Sequence, residues 1–185
     1  MNVSARLLLR LLLVIVAVAA IAMTGCEKEA KPIESKEGGR IYLDGLFYQV
    51  QLSRQLNPND VEDSFYLVDK PTPAAGEAYF GVFMRVDNED TYRTVMPIGI
   101  EKMMIKSAAG REFEPIEVSA AGWGYEPEPI GQGARIPIPD TPASGGPIGG
   151  SLILFKLTYD DLDARPLELE IENAKGDIGT IVLDV

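Results

Sequence analysis

Two acidic clusters are the residues whose types and spacing come nearest to chemistry. Asp160, Asp161 and Asp163 follow an apolar stretch, and Asp87, Glu89 and Asp90 crowd a turn. Paired carboxylates can hydrolyse glycosides, and clustered oxygen ligands suit Ca²⁺. Neither cluster keeps the spacing of a calcium-binding loop, so a solvated turn is the favoured reading of both. A carboxylate-dependent glycan hydrolase is a distant alternative, because a small domain leaves little room for a deep carbohydrate cleft. The chain has no histidine, which removes Ser-His-Asp and Cys-His arrangements and imidazole metal sites. Gly145-Gly146-Pro147-Ile148-Gly149-Gly150 is not followed by the Gly-Lys-Ser/Thr of a phosphate loop. Met84, Met96, Met103 and Met104 lack histidine companions and read as core filling rather than copper ligands. No catalytic residue, metal or cofactor is expected.

The remaining reactive group is Cys26, the only cysteine. Arg6 and Arg10 form a positive n-region, residues 11–23 an apolar run, and Met23-Thr24-Gly25 a small-residue approach to a cleavage point. That run of 13 residues is shorter than the roughly 20 needed to span a bilayer. A cysteine directly after such a segment resembles the lipobox of secreted bacterial lipoproteins. The resemblance implies cleavage before Cys26 and a diacylglycerol anchor on its sulfur, with the membrane as a partner through that lipid. It also bears on destination. Glu27 stands where lipoproteins retained in the inner membrane of two-membraned bacteria carry Asp, so an outer-membrane address is favoured in such a host. A plain secretory signal with an incidental cysteine is the competing reading, although single free cysteines are unusual in secreted chains.

Loss of residues 1–25 removes Arg6 and Arg10 and no carboxylate, leaving 15 basic against 28 acidic side chains, a formal −13. So acidic a chain is repelled by phosphate backbones, and nucleic acid is excluded as a partner. Divalent cations or cationic partners would be attracted. With no second cysteine, core packing alone must hold the fold.

The elements that would position any site are strands. Residues 27–39 mix charges and end in Gly38-Gly39, and together with Cys26 they are expected to form a flexible tether over 26–39. The domain is expected over 40–185. From Leu46 the pattern has period two: Leu46, Tyr48, Val50 and Leu52 share one face. Further strands are expected at 79–87, 92–96, 102–107, 111–116, 151–158, 167–172 and 180–184. No stretch keeps a convincing helical period. About seven or eight short strands with turns between them argue for an all-β sandwich.

Residues 121–150 are the exception, with eight glycines and six prolines in 30 positions. Loops of this length are usually functional or disordered. This one carries Gly122-Trp123-Gly124-Tyr125, and two readings compete. Trp123 and Tyr125 can serve as partner contacts, since aromatic side chains are frequent interface anchors. Alternatively the tryptophan folds back over an open core edge. Arg135-Ile136-Pro137-Ile138 also suits an irregular edge strand.

Three segments carry a further resemblance. Residues 79–88 end a strand in Asp87-Asn88; residues 104–115 form a strand, a small-residue-Gly turn and Arg111-Glu112-Phe113; residues 149–156 form an apolar strand after glycines. These resemble the immunoglobulin-like extracellular domains of bacterial lipoproteins, akin to telokin-like secreted mycobacterial antigens. The resemblance implies an immunoglobulin-like β-sandwich outside the cytoplasmic membrane and supplies no catalytic residue. The expected role is a non-catalytic module that binds an envelope protein. A carrier of small ligands or divalent cations is the alternative.

Overall fold

Alternating apolar side chains bring two sheets face to face in the computed structural model, which describes Lys31, residues 33–89 and residues 92–183. The leader (1–25), Cys26 and residues 27–30 lie outside the described residues, as does Asp90. One sheet contains β1 (Glu34–Lys36), β5 (Met103–Ser107), β6 (Glu112–Phe113), β9 (Leu167–Glu172) and β10 (Ile178–Leu183), in the order β1-β10-β9-β5-β6. The other contains β2 (Arg40–Leu43), β3 (Leu46–Leu56), β4 (Glu77–Asp87), β7 (Arg135–Ile136) and β8 (Ser151–Thr158). There β4 is central: it pairs with β3 on one side, and with β8 and β7 on the other. The chain is an all-β sandwich. Among the described residues, three short α-helices interrupt it: α1 (Val61–Tyr66), α2 (Pro142–Gly145) and α3 (Tyr159–Asp163).

The core between the sheets holds Ile41, Leu46, Tyr48, Val50, Phe80, Val82 and Met84 from one side. Met103, Ile105, Leu167, Leu169, Ile171 and Ile181 face them from the other. A second apolar cluster lies on the outer face of the β3–β4–β8 sheet, with Leu56, Tyr66, Leu67, Tyr79, Phe83, Leu152 and Leu154 buried. That sheet is therefore buried on both faces along much of β4 and β8. The bulge between Val50 and Leu52 matters here. The extra residue reverses the alternation, so Leu52 joins the outer cluster and leaves the face it was expected to share with Leu46, Tyr48 and Val50.

The sequence reading is corrected at several points. Residues 34–36, expected to lie in a tether, form β1 and pair in parallel with Thr180, Ile181 and Val182, so the domain begins before residue 40. Among the described residues the ten strands exceed the expected seven or eight because β1, β2 and β7 are too short to alternate visibly. Residues 92–96 form no strand. The buried Asn88 amide donates to the carbonyls of Arg93 and Ile130 at 2.8 and 2.9 Å, and a single bridge joins Val95 to Ile130. Residues 111–116 reduce to β6, because Pro115 interrupts the ladder and Ile116 crosses to bridge Leu154 of the opposite sheet.

Tyrosines hold part of this core. The Ile98 peptide is clamped by two phenols: its N–H donates to the Tyr48 hydroxyl and its carbonyl accepts from Tyr125, both at 2.9 Å. Burial pushes the phenols of Tyr48 and Tyr125 well above the ordinary range and that of Tyr66 to about 12. The fold favours the neutral phenols, so their contribution is complete below the ordinary value of 10.0. It is lost as pH rises from there towards about 12 for Tyr66. Denaturation midpoints should stay level on this account up to about pH 10 and then fall. Phenolate absorbance should show late-titrating tyrosines whose ionisation coincides with unfolding. Ionisation of all seven tyrosines near the ordinary value, without unfolding, would contradict this packing.

Candidate functional site

The two aromatics expected as partner contacts face inward to different degrees. Tyr125 is buried, with its N–H on the Leu152 carbonyl at 2.9 Å and its hydroxyl on Ile98, so it is a core residue and not a contact surface. Trp123 is half-buried, and its carbonyl accepts from the Leu152 N–H at 2.7 Å. Its ring meets Tyr66 edge-on at 4.9 Å, on the inner side of α1. The aromatic loop thus closes the outer cluster, as in the alternative reading. Gly146 makes room for the ring: an added Cβ would lie 2.7 Å from Trp123 Cζ3 and 3.0 Å from the Pro142 carbonyl. Gly146→Ala should therefore cost about 1–3 kcal/mol through overpacking and shift tryptophan fluorescence. Unchanged stability and emission would show that the ring lies elsewhere.

What the loop supports is α1. Asp60 starts this helix, its carboxylate accepting from the N–H groups of Glu62 and Asp63. Asp63 is buried and receives both arms of Arg54, at 2.5 and 2.9 Å, and the Asn57 N–H at 2.7 Å. The hydrogen bond to Asp63 raises the Arg54 pKa further, keeping the guanidinium charged. Tyr66 then packs on Phe83 at 5.2 Å. With its inner side fixed, α1 turns large apolar groups outward: Val61, Phe65 and the following Val68 are 77%, 61% and 43% exposed. Val61 and Phe65, at i and i+4, share one face of the helix, and Val68 lies in the turn that follows it. Asp60, Glu62 and Asp69 lie beside them in the sequence.

This surface went unread in the sequence. Its signal was present in Asp60-Val61-Glu62-Asp63, a cap followed by acidic first-turn residues. Six residues are too few to establish a period, and the preceding Asn57-Pro58-Asn59 reads as a plain turn.

The acidic clusters are engaged in structure. Asp161 is buried, accepts from the Thr158 hydroxyl at 2.5 Å and pairs with the Arg111 guanidinium, closing the cap of α3. Asp160 and Asp163 point to solvent. Asp87 is buried in a bidentate pair with Arg85, and Glu89 pairs with Arg40 at 2.7 Å. Among the described residues, no group of three His, Cys, Asp or Glu is gathered as metal ligands. Of the methionines, Met84 and Met103 are in the core, Met104 is half-buried and Met96 is exposed.

The architecture is similar to solved β-sandwiches. A secreted protein from Mycobacterium tuberculosis, MPT63, superposes with a TM-score of 0.52 at 15% identity, over 85% of this chain and 100% of that one. The yjhA protein from Bacillus subtilis superposes with a TM-score of 0.56 at 9% identity, over 81% of this chain and 99% of that one. At such identities the likeness concerns the fold alone. No protein-family model matches the chain, and no curated protein matches it.

Proposed function

We propose that this protein is a lipid-anchored extracytoplasmic accessory module, without catalysis, whose α1 face binds a protein of the cell envelope. The observation that carries the reading is the exposed apolar patch of Val61 and Phe65 on a helix fixed from behind by Asp63, Tyr66 and Trp123, extended by Val68 in the turn after it. Exposed apolar side chains gathered on one rigid face are a feature of contact surfaces. Neighbouring Asp60, Glu62 and Asp69 define the partner's chemistry: an apolar segment flanked by Lys or Arg. Location is supported by the leader and by Cys26, and a sandwich of similar fold is a secreted protein. Seven residues separate Cys26 from β1, a reach of at most about 25 Å. The domain would then stand close to the bilayer.

Two substitutions test the two halves separately in intact cells. Cys26→Ala should abolish metabolic labelling with a palmitate analogue and release the chain from the membrane fraction. Phe65→Asp should leave the anchor and melting temperature unchanged, since exposed positions shift stability by only about 0.5 kcal/mol, while removing the cross-linked partner. Retention of the same partner by Phe65→Asp would refute the α1 interface.

A further inference from the structure

Two loops and the start of α3, at one end of the β3–β4–β8 sheet, border an open cavity of about 400 Å³. Its floor is apolar, made by the buried Leu56 and Ala78. Its rim carries Gln55, Asn59, Thr72 and Tyr159. Tyr159 is 49% exposed. Among the described residues, the side-chain amides of Gln55 and Asn59 and the Thr72 hydroxyl have no protein partner. All three are exposed, so water satisfies them and a ligand's hydroxyls would have to replace that water.

Each wall is held by a carboxylate already committed to the fold. Asp63 fixes the first wall by accepting from the Asn57 N–H at 2.7 Å. Glu77 fixes the second, accepting from the Ala74 N–H at 3.3 Å and pairing with Lys156 at 3.1 Å. The hydrogen bond from Lys156 lowers the Glu77 pKa. The Tyr79 hydroxyl adds a bond to the Pro71 carbonyl at 2.8 Å. Asp161 fixes the third wall through the α3 cap, and the Tyr159 N–H donates to the Gly76 carbonyl at 3.0 Å. The backbone of the walls is preorganised, and a ligand would pay to order only the exposed side chains of the rim.

We infer that this cavity is a binding site for a neutral, hydroxyl-rich ligand, a saccharide unit. Amide side chains donate and accept at once, which matches the paired hydroxyls of a sugar ring. An exposed phenol ring supplies the flat apolar surface on which the C–H face of a sugar rests. The one lining carboxylate, Glu77, is already paired with Lys156. No unpaired charge asks for an ionic ligand. The site is a binding site only, distinct from the α1 patch, and it stands whether or not that patch binds a protein.

The test is a calorimetric titration of the full chain in detergent with N,N′-diacetylchitobiose, and separately with cellobiose. Saturable binding of either probe is expected, in the millimolar to micromolar range typical of small polar ligands. Tyr159→Ala should weaken it roughly tenfold, and Asn59→Ala should weaken it as well. Both side chains are exposed, so neither change should unfold the domain. Tyr92→Ala, at a tyrosine that is 90% exposed but outside the cavity lining, should leave affinity unchanged. Absence of heat with both probes up to about 10 mM, or binding that Tyr159→Ala does not weaken, would overturn the inference.

Discussion

Phe83→Ala should cost about 3–5 kcal/mol of stability, the usual range for a buried phenylalanine, and a large part of what a domain of this size possesses. Phe83 is fully buried, yet it does not face the core between the sheets. It lies on the outer side of β4, under Tyr66, with Leu52 paired across β3 and Leu152 across β8. Removing the ring leaves a void that β-strand backbones cannot close. The loss should appear in urea denaturation, and amide exchange over residues 61–66 should quicken more than that of β9 or β10. Phe65→Ala, on the opposite side of the same helix, should barely alter stability. A loss below about 1 kcal/mol at Phe83 would mean that the outer cluster is not packed as described.

Asp161→Ala should cost about 2–3 kcal/mol. Loss of the charge-assisted bonds that its carboxylate accepts from the Thr158 hydroxyl and N–H accounts for most of this, while the Asp161 N–H keeps its bond to the Thr158 hydroxyl. Loss of the Arg111 pair supplies the rest. The Arg111 contribution is discounted because its side chain is 49% exposed and regains water. Asp160→Ala and Asp163→Ala remove neighbouring solvent-facing carboxylates and should have little effect. Denaturation of the three variants side by side separates a structural aspartate from a ligand cluster. Equal, small losses at all three positions would contradict the cap.

The sandwich was legible where strands alternate. Residues 151–158 and 167–172 match β8 and β9 end to end because their apolar residues mark the core plainly. β4 was expected as a strand at 79–87, and Phe80, Val82, Met84 and Val86 alternate onto its inner face as such a strand should. Burial of Tyr79 and Phe83 on the other side depends on α1 and Trp123, which arrive from distant positions and leave no local pattern. The bulge after Val50 is likewise invisible, since Leu52 keeps the alternation in sequence while changing face in space. β1 hides in a charged segment because a three-residue edge strand is specified by pairing with β10, not by its own composition. Of the candidate site, the composition of the aromatic loop was legible, but its direction was not. Tyr125 is drawn inward by the Ile98 carbonyl and Trp123 by Tyr66, and the exposed surface passes to α1.

The most direct measurement is position-resolved photo-cross-linking in intact cells. A photoreactive amino acid replaces Phe65 on the α1 face, or Tyr92, a still more exposed aromatic elsewhere. The account predicts a discrete adduct of defined mass from position 65 and none from position 92, with the captured segment apolar and flanked by basic residues. No adduct at 65, or the same adduct from both positions, would contradict it.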